Sequence, residues 1–249
     1  QNGCRSAGGR GGRVEERGRD SRRRDPLATD RRPLESDIQI ASTQQTQQTH
    51  RIIMSMNHTV YPVGNFKFGT KAAKEVKYPT VDAQMERLQT KYEAEGPRRS
   101  VDAVLVVHQN NHPHILLLQA GPSYFKLPGG RLRPGEEEVD GLKRKLVSKL
   151  SPESESLQVE WEIGDCVGSF YRPNFEQVVY PYLPAHITRP KETKKVYMVR
   201  LPESCYFAVP SNLKLLAVPL FELYDNAARY GPIIAGLPLM LSKFQFVRA

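Results

Sequence analysis

The run Leu127-Pro128-Gly129-Gly130-Arg131-Leu132-Arg133-Pro134-Gly135-Glu136 constrains this chain most, because a double-glycine turn and a proline corner lead at once into a helix. Gly permits positive φ and Pro fixes its own, so the residue types hold the loop's geometry. Beyond it, Val139, Leu142, Leu146, Val147 and Leu150 fall at helical spacing and mark an amphipathic helix that Ser151-Pro152 ends. Ahead of it, Val101–His108 and His114–Gln119 are short β-branched and Leu-rich runs parted by Asn110-Asn111-His112-Pro113, which reads as a hairpin. The loop Ala120–Tyr124 then carries the chain from the hairpin to the glycines.

The rest of the chain from about Tyr61 has the same texture. Val81, Met85, Leu88 and Tyr92 predict a helix stopped by Gly96-Pro97. Strands are expected at Trp161–Tyr171 and Lys195–Leu201, with a proline-rich excursion from Pro173 to Pro190 between them. Pro219–Asn226 and Pro232–Phe244 read as helices, the second kinked at Pro238. Strands interleaved with helices predict an α/β or α+β fold, a mixed sheet sandwiched between helices. No internal repeat is present.

Residues 1–53 differ sharply, with GGRGGR at Gly8–Arg13, Arg22–Arg24 and almost no large apolar side chains. Such a stretch buries too little surface to offset its chain entropy, so it is expected to be disordered. Two readings stay open. It is a basic RNA-associating arm, or it is upstream sequence translated in frame, since its basic residues are all Arg and the first methionines are Met54 and Met56. The domain is therefore assigned to residues 54–249.

The formal net charge of +9 favours an anionic partner. Three widely spaced cysteines, Cys4, Cys166 and Cys205, suggest neither a disulfide framework nor a zinc cluster and fit a reducing compartment. No window approaches the roughly 20 apolar residues that span a bilayer, and a soluble protein is expected. His112 and His114 lack Cys or acidic neighbours at ligand spacing and are read as solvated. Arg98-Arg99 and Lys194-Lys195 read as parts of a basic surface.

The glycine loop and its helix resemble a Nudix box, G-x5-E-x7-R-E-U-x-E-E-x-G-U with U apolar. Gly130, Glu136 and Arg144 occupy its first three positions; Lys145, Ser148 and Lys149 stand where the paired acids belong, and Ser151 replaces the closing Gly. The resemblance implies a Nudix fold, and the departures imply lost chemistry. Magnesium needs hard oxygen ligands, whereas Lys has no acceptor and carries positive charge. No pyrophosphatase activity, metal or cofactor is expected.

Further words extend the likeness from about Tyr61 to the end. They include Phe68-Gly69-Thr70-Lys71, Leu116–Gln119, Arg172–Glu176, Tyr180-Pro181-Tyr182, Pro184–Thr188 and Pro219–Asn226. The chain is similar to the Nudix subunit of cleavage factor Im, also called the cleavage and polyadenylation specificity factor subunit 5 family. That resemblance implies a nuclear, catalytically silent homodimer that binds UGUA elements in pre-mRNA, recruits a larger RRM-containing subunit and influences poly(A)-site choice. It assigns RNA contacts to Gln84, Asp102, Ser123, Tyr124, Phe125, Leu127, Tyr230 and Gly231, and contacts with the larger subunit to Tyr180, Tyr182 and Met240.

These assignments make physical sense: an exposed aromatic stacks on a splayed base, and a carboxylate accepts from guanine N1 and N2. Because neighbours on a strand face opposite sides, one of Tyr124 and Phe125 should be exposed, and Tyr124 is favoured as the stacker. For Asp102 a solvated strand residue is the plainer reading, and for Met240 intramolecular packing. Three positions depart from the family: Gln84 replaces an RNA-contacting Arg, Val76 a contacting Glu with Glu75 adjacent, and Asp102 is one methylene shorter than the family's Glu. Gln84 hydrogen-bonds but brings no charge, so affinity or its salt dependence should fall. Two rival readings remain, an active Nudix hydrolase of dinucleoside polyphosphates and a sensor that binds such nucleotides without cleaving them.

Overall fold

The computed structural model describes residues 57–75 and 80–249. The expected disorder of residues 1–53, the start at Met54 or Met56 and the assignment of Val76 lie outside the described residues. In chain order the strands are β1 (Asn57–Val60), β2 (Phe66–Lys71), β3 (Arg98–Gln109), β4 (His112–Ala120), β5 (Tyr124–Lys126) and β6 (Gly129–Arg131). They continue with β7 (Glu162–Arg172), β8 (Glu192–Arg200), β9 (Cys205–Pro210), β10 (Lys214–Pro219) and β11 (Gln245–Arg248). The α-helices are α1 (Val81–Glu95), α2 (Glu138–Leu150), α3 (Leu220–Leu223), α4 (Ala227–Tyr230), α5 (Pro232–Ala235) and α6 (Leu237–Leu241).

β3 organises these elements. Its alternate side chains enter two separate cores: Val101, Ala103, Leu105 and Val107 pack with Leu142, Leu146 and Leu150 of α2, while Val104 and Val106 pack with Leu223, Ile234, Leu237 and Leu241. A period of two puts those sets on opposite faces, so both sides of the sheet need covering. The main sheet runs β10-β4-β3-β8-β7, with β5 paired to β4 and β6 to β3. β3 and β8 are parallel and the other neighbours antiparallel, which makes the sheet mixed. The expected sandwich of helices around a mixed sheet is thus the observed architecture. Each fully buried leucine of α2 contributes about 1.5–3 kcal/mol.

Local chemistry fixes the boundaries. Asn110 and Asn111 both take positive φ, 49° and 66°, which suits a tight hairpin turn and moves His112 and Pro113 into β4. Thr80 caps α1 by accepting from the Ala83 amide, and Gly96 at φ 78° ends it. Only Leu88 of the α1 stripe is buried; Tyr92 instead meets Phe175 edge-on beneath the Lys191 ammonium.

Several expectations need correction. The helix predicted over 219–226 is a single turn, α3, because Pro219 belongs to β10 and Asp225 adopts φ 53°. The helix predicted over 232–244 is two pieces meeting at Gly236, ahead of the anticipated kink. Pro238 lacks an N–H and serves in the first turn of α6, so the ladder is interrupted just before it. That helix also stops at Leu241, and β11 follows, pairing in parallel with β1. His114 is buried, with Nδ1 2.9 Å from the His112 carbonyl, and His112 lies edge-on to Phe221, so the pair is not simply solvated. Among the described residues, no helix is long and apolar enough to cross a membrane.

Candidate nucleic-acid interface

Strand parity brings most of the anticipated RNA residues to one place. A cavity of about 210 Å³ is lined by Asp102, Tyr124, Phe125, Leu127, Tyr230 and Gly231. β3 supplies the acid, β5 the aromatic pair, the turn after β5 Leu127, and the α4–α5 junction the Tyr-Gly step. Gly231, at φ 82°, joins those helices in a conformation that favours glycine. Ser123 sits exposed beside Tyr124 but does not line the cavity, and Gln84 lies elsewhere on α1.

Tyr124 is 60 % exposed, whereas Phe125 packs against the core with its ring 4.8 Å from that of Tyr230. The alternation along β5 therefore leaves one flat face open. Tyr230 is buried, donates from its hydroxyl to Glu222 and is pushed up to about 12 by burial and that bond. Its ring forms a wall of the cavity, and the phenol is occupied elsewhere.

Asp102 is neither solvated nor unaccompanied. It is 7 % exposed, and its Oδ2 lies 3.1 Å from Lys194 Nζ. Its other oxygen faces β6, where a Cβ on Gly129 would stand 2.4 Å from Oδ1 and 2.2 Å from the Val101 carbonyl. Gly129 is thus required because the β3 backbone, with the carboxylate beside it, occupies the space a side chain would take. Lys126, Arg172 and Lys194 complete a cationic side of the cavity. Sequence reasoning placed Lys194 only in a generic basic surface and passed over Lys126 and Arg172. The parallel register of β3 and β8 brings Lys194 to Asp102, and such a crossover pairing leaves no mark in local spacing. Nor are the basic pairs a free surface: Arg98 meets Glu192, Arg99 and Lys195 meet Glu138, and Lys194 meets Asp102. Burial works against charge on Glu138, yet hydrogen bonds from Tyr197, Lys195 and Arg99 hold it at about 2.

On the α2 side the loop closes on Glu136. Arg144 donates to both its oxygens at 2.6 Å and the Arg133 amide adds a bond of 2.7 Å. These bonds hold Glu136 down at about 2. Lys145 flanks Gly130, and the Ser148 hydroxyl accepts from Lys74 at 2.7 Å. Burial and the ammonium groups of Lys126, Lys145 and Lys74 push Lys149 down to about 8, with Asp102 opposing. Two of the three positions where the family carries acids therefore hold mutually repelling lysines, and the third, Ser148, is neutral. Nearby, between α1 and the glycine loop, a cavity of about 620 Å³ is lined by Gln84, Arg87, Arg131, Arg133, Arg144 and Lys145 among others.

The NUDIX_2 family model, described as a nucleotide hydrolase, matches residues 56–244. The chain is 56 % identical over 195 residues to "Pre-mRNA cleavage factor Im 25 kDa subunit 2" of Arabidopsis thaliana, a match covering 78 % of this chain and 98 % of that protein. The chain belongs to the cleavage factor Im 25 kDa subunit family, within the Nudix fold. "Cleavage and polyadenylation specificity factor subunit 5" of Dictyostelium discoideum is 50 % identical over 184 residues, covering 74 % of this chain and 91 % of that one. "Pre-mRNA cleavage factor Im 25 kDa subunit 1" of Arabidopsis thaliana is 47 % identical over 201 residues, covering 81 % and 90 %.

In this cleavage factor Im family member, Tyr180 and Tyr182 stand with ring centroids 5.6 Å apart on the excursion after β7, and Tyr182 is 59 % exposed. Tyr180 is tied down by reciprocal backbone bonds with Tyr171. Met240 is half-buried: its side chain rests on Gly168, where a Cβ would lie 2.8 Å from the sulfur. Intramolecular packing therefore takes part of Met240, and its neighbour Leu239 is the more exposed side chain.

Proposed function

We propose that this chain is the non-catalytic, RNA-reading subunit of cleavage factor Im, acting in the nucleus in pre-mRNA 3′-end cleavage, polyadenylation and poly(A)-site choice. The observation that carries the reading is the 210 Å³ cavity, where an open Tyr124 face lies beside the Asp102 carboxylate and the Tyr230-Gly231 wall. A splayed base stacks on the tyrosine, and the carboxylate accepts from a guanine Watson–Crick edge. Lys126 and Arg172 line the same cavity and suit the phosphate backbone. UGUA is the sequence implied by family membership. The lysines at the acid positions of the box support a binding role without hydrolysis, since no carboxylate pair is present there to hold magnesium. A homodimer, and a larger RRM-containing subunit docking at Tyr180, Tyr182 and Met240, complete the proposal.

Titrating the full chain with UGUA RNA and with a scrambled control tests the reading. Tighter binding of UGUA, reduced in Tyr124→Ala, is expected; equal affinity for the two RNAs refutes sequence-specific recognition. A second reading, nucleotide binding without turnover, draws on the cation-lined 620 Å³ cavity. Competition between diadenosine tetraphosphate and UGUA RNA separates shared from separate sites, and magnesium-dependent release of products from that nucleotide would restore an enzymatic role.

A further inference from the structure

We propose that Lys194 is a positioning residue for base discrimination, holding Asp102 as an ionised acceptor so that the cavity takes guanine and rejects adenine. The inference rests on the RNA-binding reading above and adds the identity of the group that sets its selectivity.

The geometry carries the argument. Asp102 is 7 % exposed, a setting in which an unpaired charge is costly. Lys194 Nζ sits 3.1 Å from Oδ2, and Gly129 clears the space beside Oδ1. Both residues line the same cavity as Tyr124. An ionised carboxylate is acceptor-only, and one ammonium leaves lone pairs for the two donors of guanine, N1–H and N2–H. A protonated Asp102 would offer a hydroxyl, a partner for the bare N1 acceptor of adenine. The ammonium therefore decides which purine edge fits by setting the state of the carboxylate beside it.

Other charged groups surround the pair. Glu192, on the strand that carries Lys194, is engaged with Arg98, Arg172 and Ser100. Lys126 on β5 and Lys149 on α2 both sense the Asp102 charge, and Arg172 on β7 and Tyr124 on β5 line the cavity with it. Lys149 titrates near 8, so a pH profile alone does not identify Asp102, and the test must remove the acid as well.

The experiment measures affinities of the full chain for UGUA and UAUA RNA between pH 6 and 8.5, in the parent and in Lys194→Met, Lys194→Arg, Asp102→Asn and the Asp102→Asn/Lys194→Met double variant. Melting temperatures check that each is folded. In Lys194→Met the preference for UGUA is expected to fall roughly tenfold at the acid end, the scale of one charge-assisted hydrogen bond, and to recover as pH rises. Lys194→Arg restores the parent preference, and the double variant shows a low preference without that recovery. An unchanged UGUA preference in Lys194→Met overturns the proposal, as does an equal, pH-independent loss for both RNAs or a recovery with pH that persists in the double variant. Should Lys194→Met not fold, Lys194→Arg against Asp102→Asn decides: an arginine variant as unselective as the asparagine one overturns it. A parent chain without preference brings down the RNA-recognition reading itself, and this inference with it, before any variant is compared.

Discussion

Arg144 holds Glu136 with two parallel hydrogen bonds of 2.6 Å each. The one acid of the Nudix pattern that survives in α2 or its approach is therefore engaged in closing the loop. The arginine eight residues on acts as a clamp, and the Arg133 amide completes the turn.

Glu136→Gln should loosen that loop, costing about 1–2 kcal/mol after allowance for solvent screening. The carboxyl is depressed from 4.5 to about 2 in the folded chain. A depressed acid stabilises fully above its unfolded value and loses that contribution as pH falls through the folded one. The stability gap between parent and variant, measured by chemical denaturation, should be constant above about pH 5 and close between 4.5 and 2.

Lys149→Met should raise stability at pH 7. Burial and neighbouring ammonium groups lower this lysine from 10.5 to about 8, so its charge opposes folding below that pH. The penalty is relieved as pH rises from 8 to 10.5, and the advantage of the variant should fade over that window in thermal melts.

Tyr124→Ala and Phe125→Ala should separate binding from folding. Truncating the exposed ring should weaken UGUA binding by about 1–3 kcal/mol and leave the melting temperature unchanged. Truncating Phe125, which packs on Tyr230, should lower both. Fluorescence anisotropy and differential scanning calorimetry on the same samples read the two effects.

Rebuilding the acids by Lys145→Glu, Ser148→Glu and Lys149→Glu together should create a magnesium-responsive chain. Millimolar Mg²⁺ is expected to raise the melting temperature of the triple variant and leave the parent where it was. No response in the triple variant would show that the loop geometry is unsuited to the metal.

Gly129→Ala should destabilise by more than about 2 kcal/mol, because the methyl would stand 2.2 Å from the Val101 carbonyl. Gly121→Ala, where a methyl meets open space and only φ 72° resists it, should cost about 1 kcal/mol. Urea denaturation of the two variants gives the comparison.

Legibility in the sequence followed the range of the interactions. The β3–β4 hairpin and α2 could be read because Asn110-Asn111 and the stripe Leu142, Leu146, Leu150 act within a few residues of themselves. The segment from Tyr124 to Leu127, which forms β5 and the turn after it, could be placed because its neighbours on both sides were. By contrast, the parallel pairings of β2 with β9 and β1 with β11 join segments more than a hundred residues apart. The short run Lys214–Pro219 has no alternation to betray β10, whose partner β4 precedes it by about a hundred residues. The same distance hid the meeting of Asp102 with Lys194. Gly236 divided the last helix where only Pro238 drew attention.

Gly129 surrenders its side-chain volume to the backbone and the carboxylate of the strand beside it. A letter commonly taken as the signature of phosphate handling is thus kept here by crowding, a requirement indifferent to any reaction nearby. The presence of this glycine is therefore, by itself, a poor guide to the work done beside the loop.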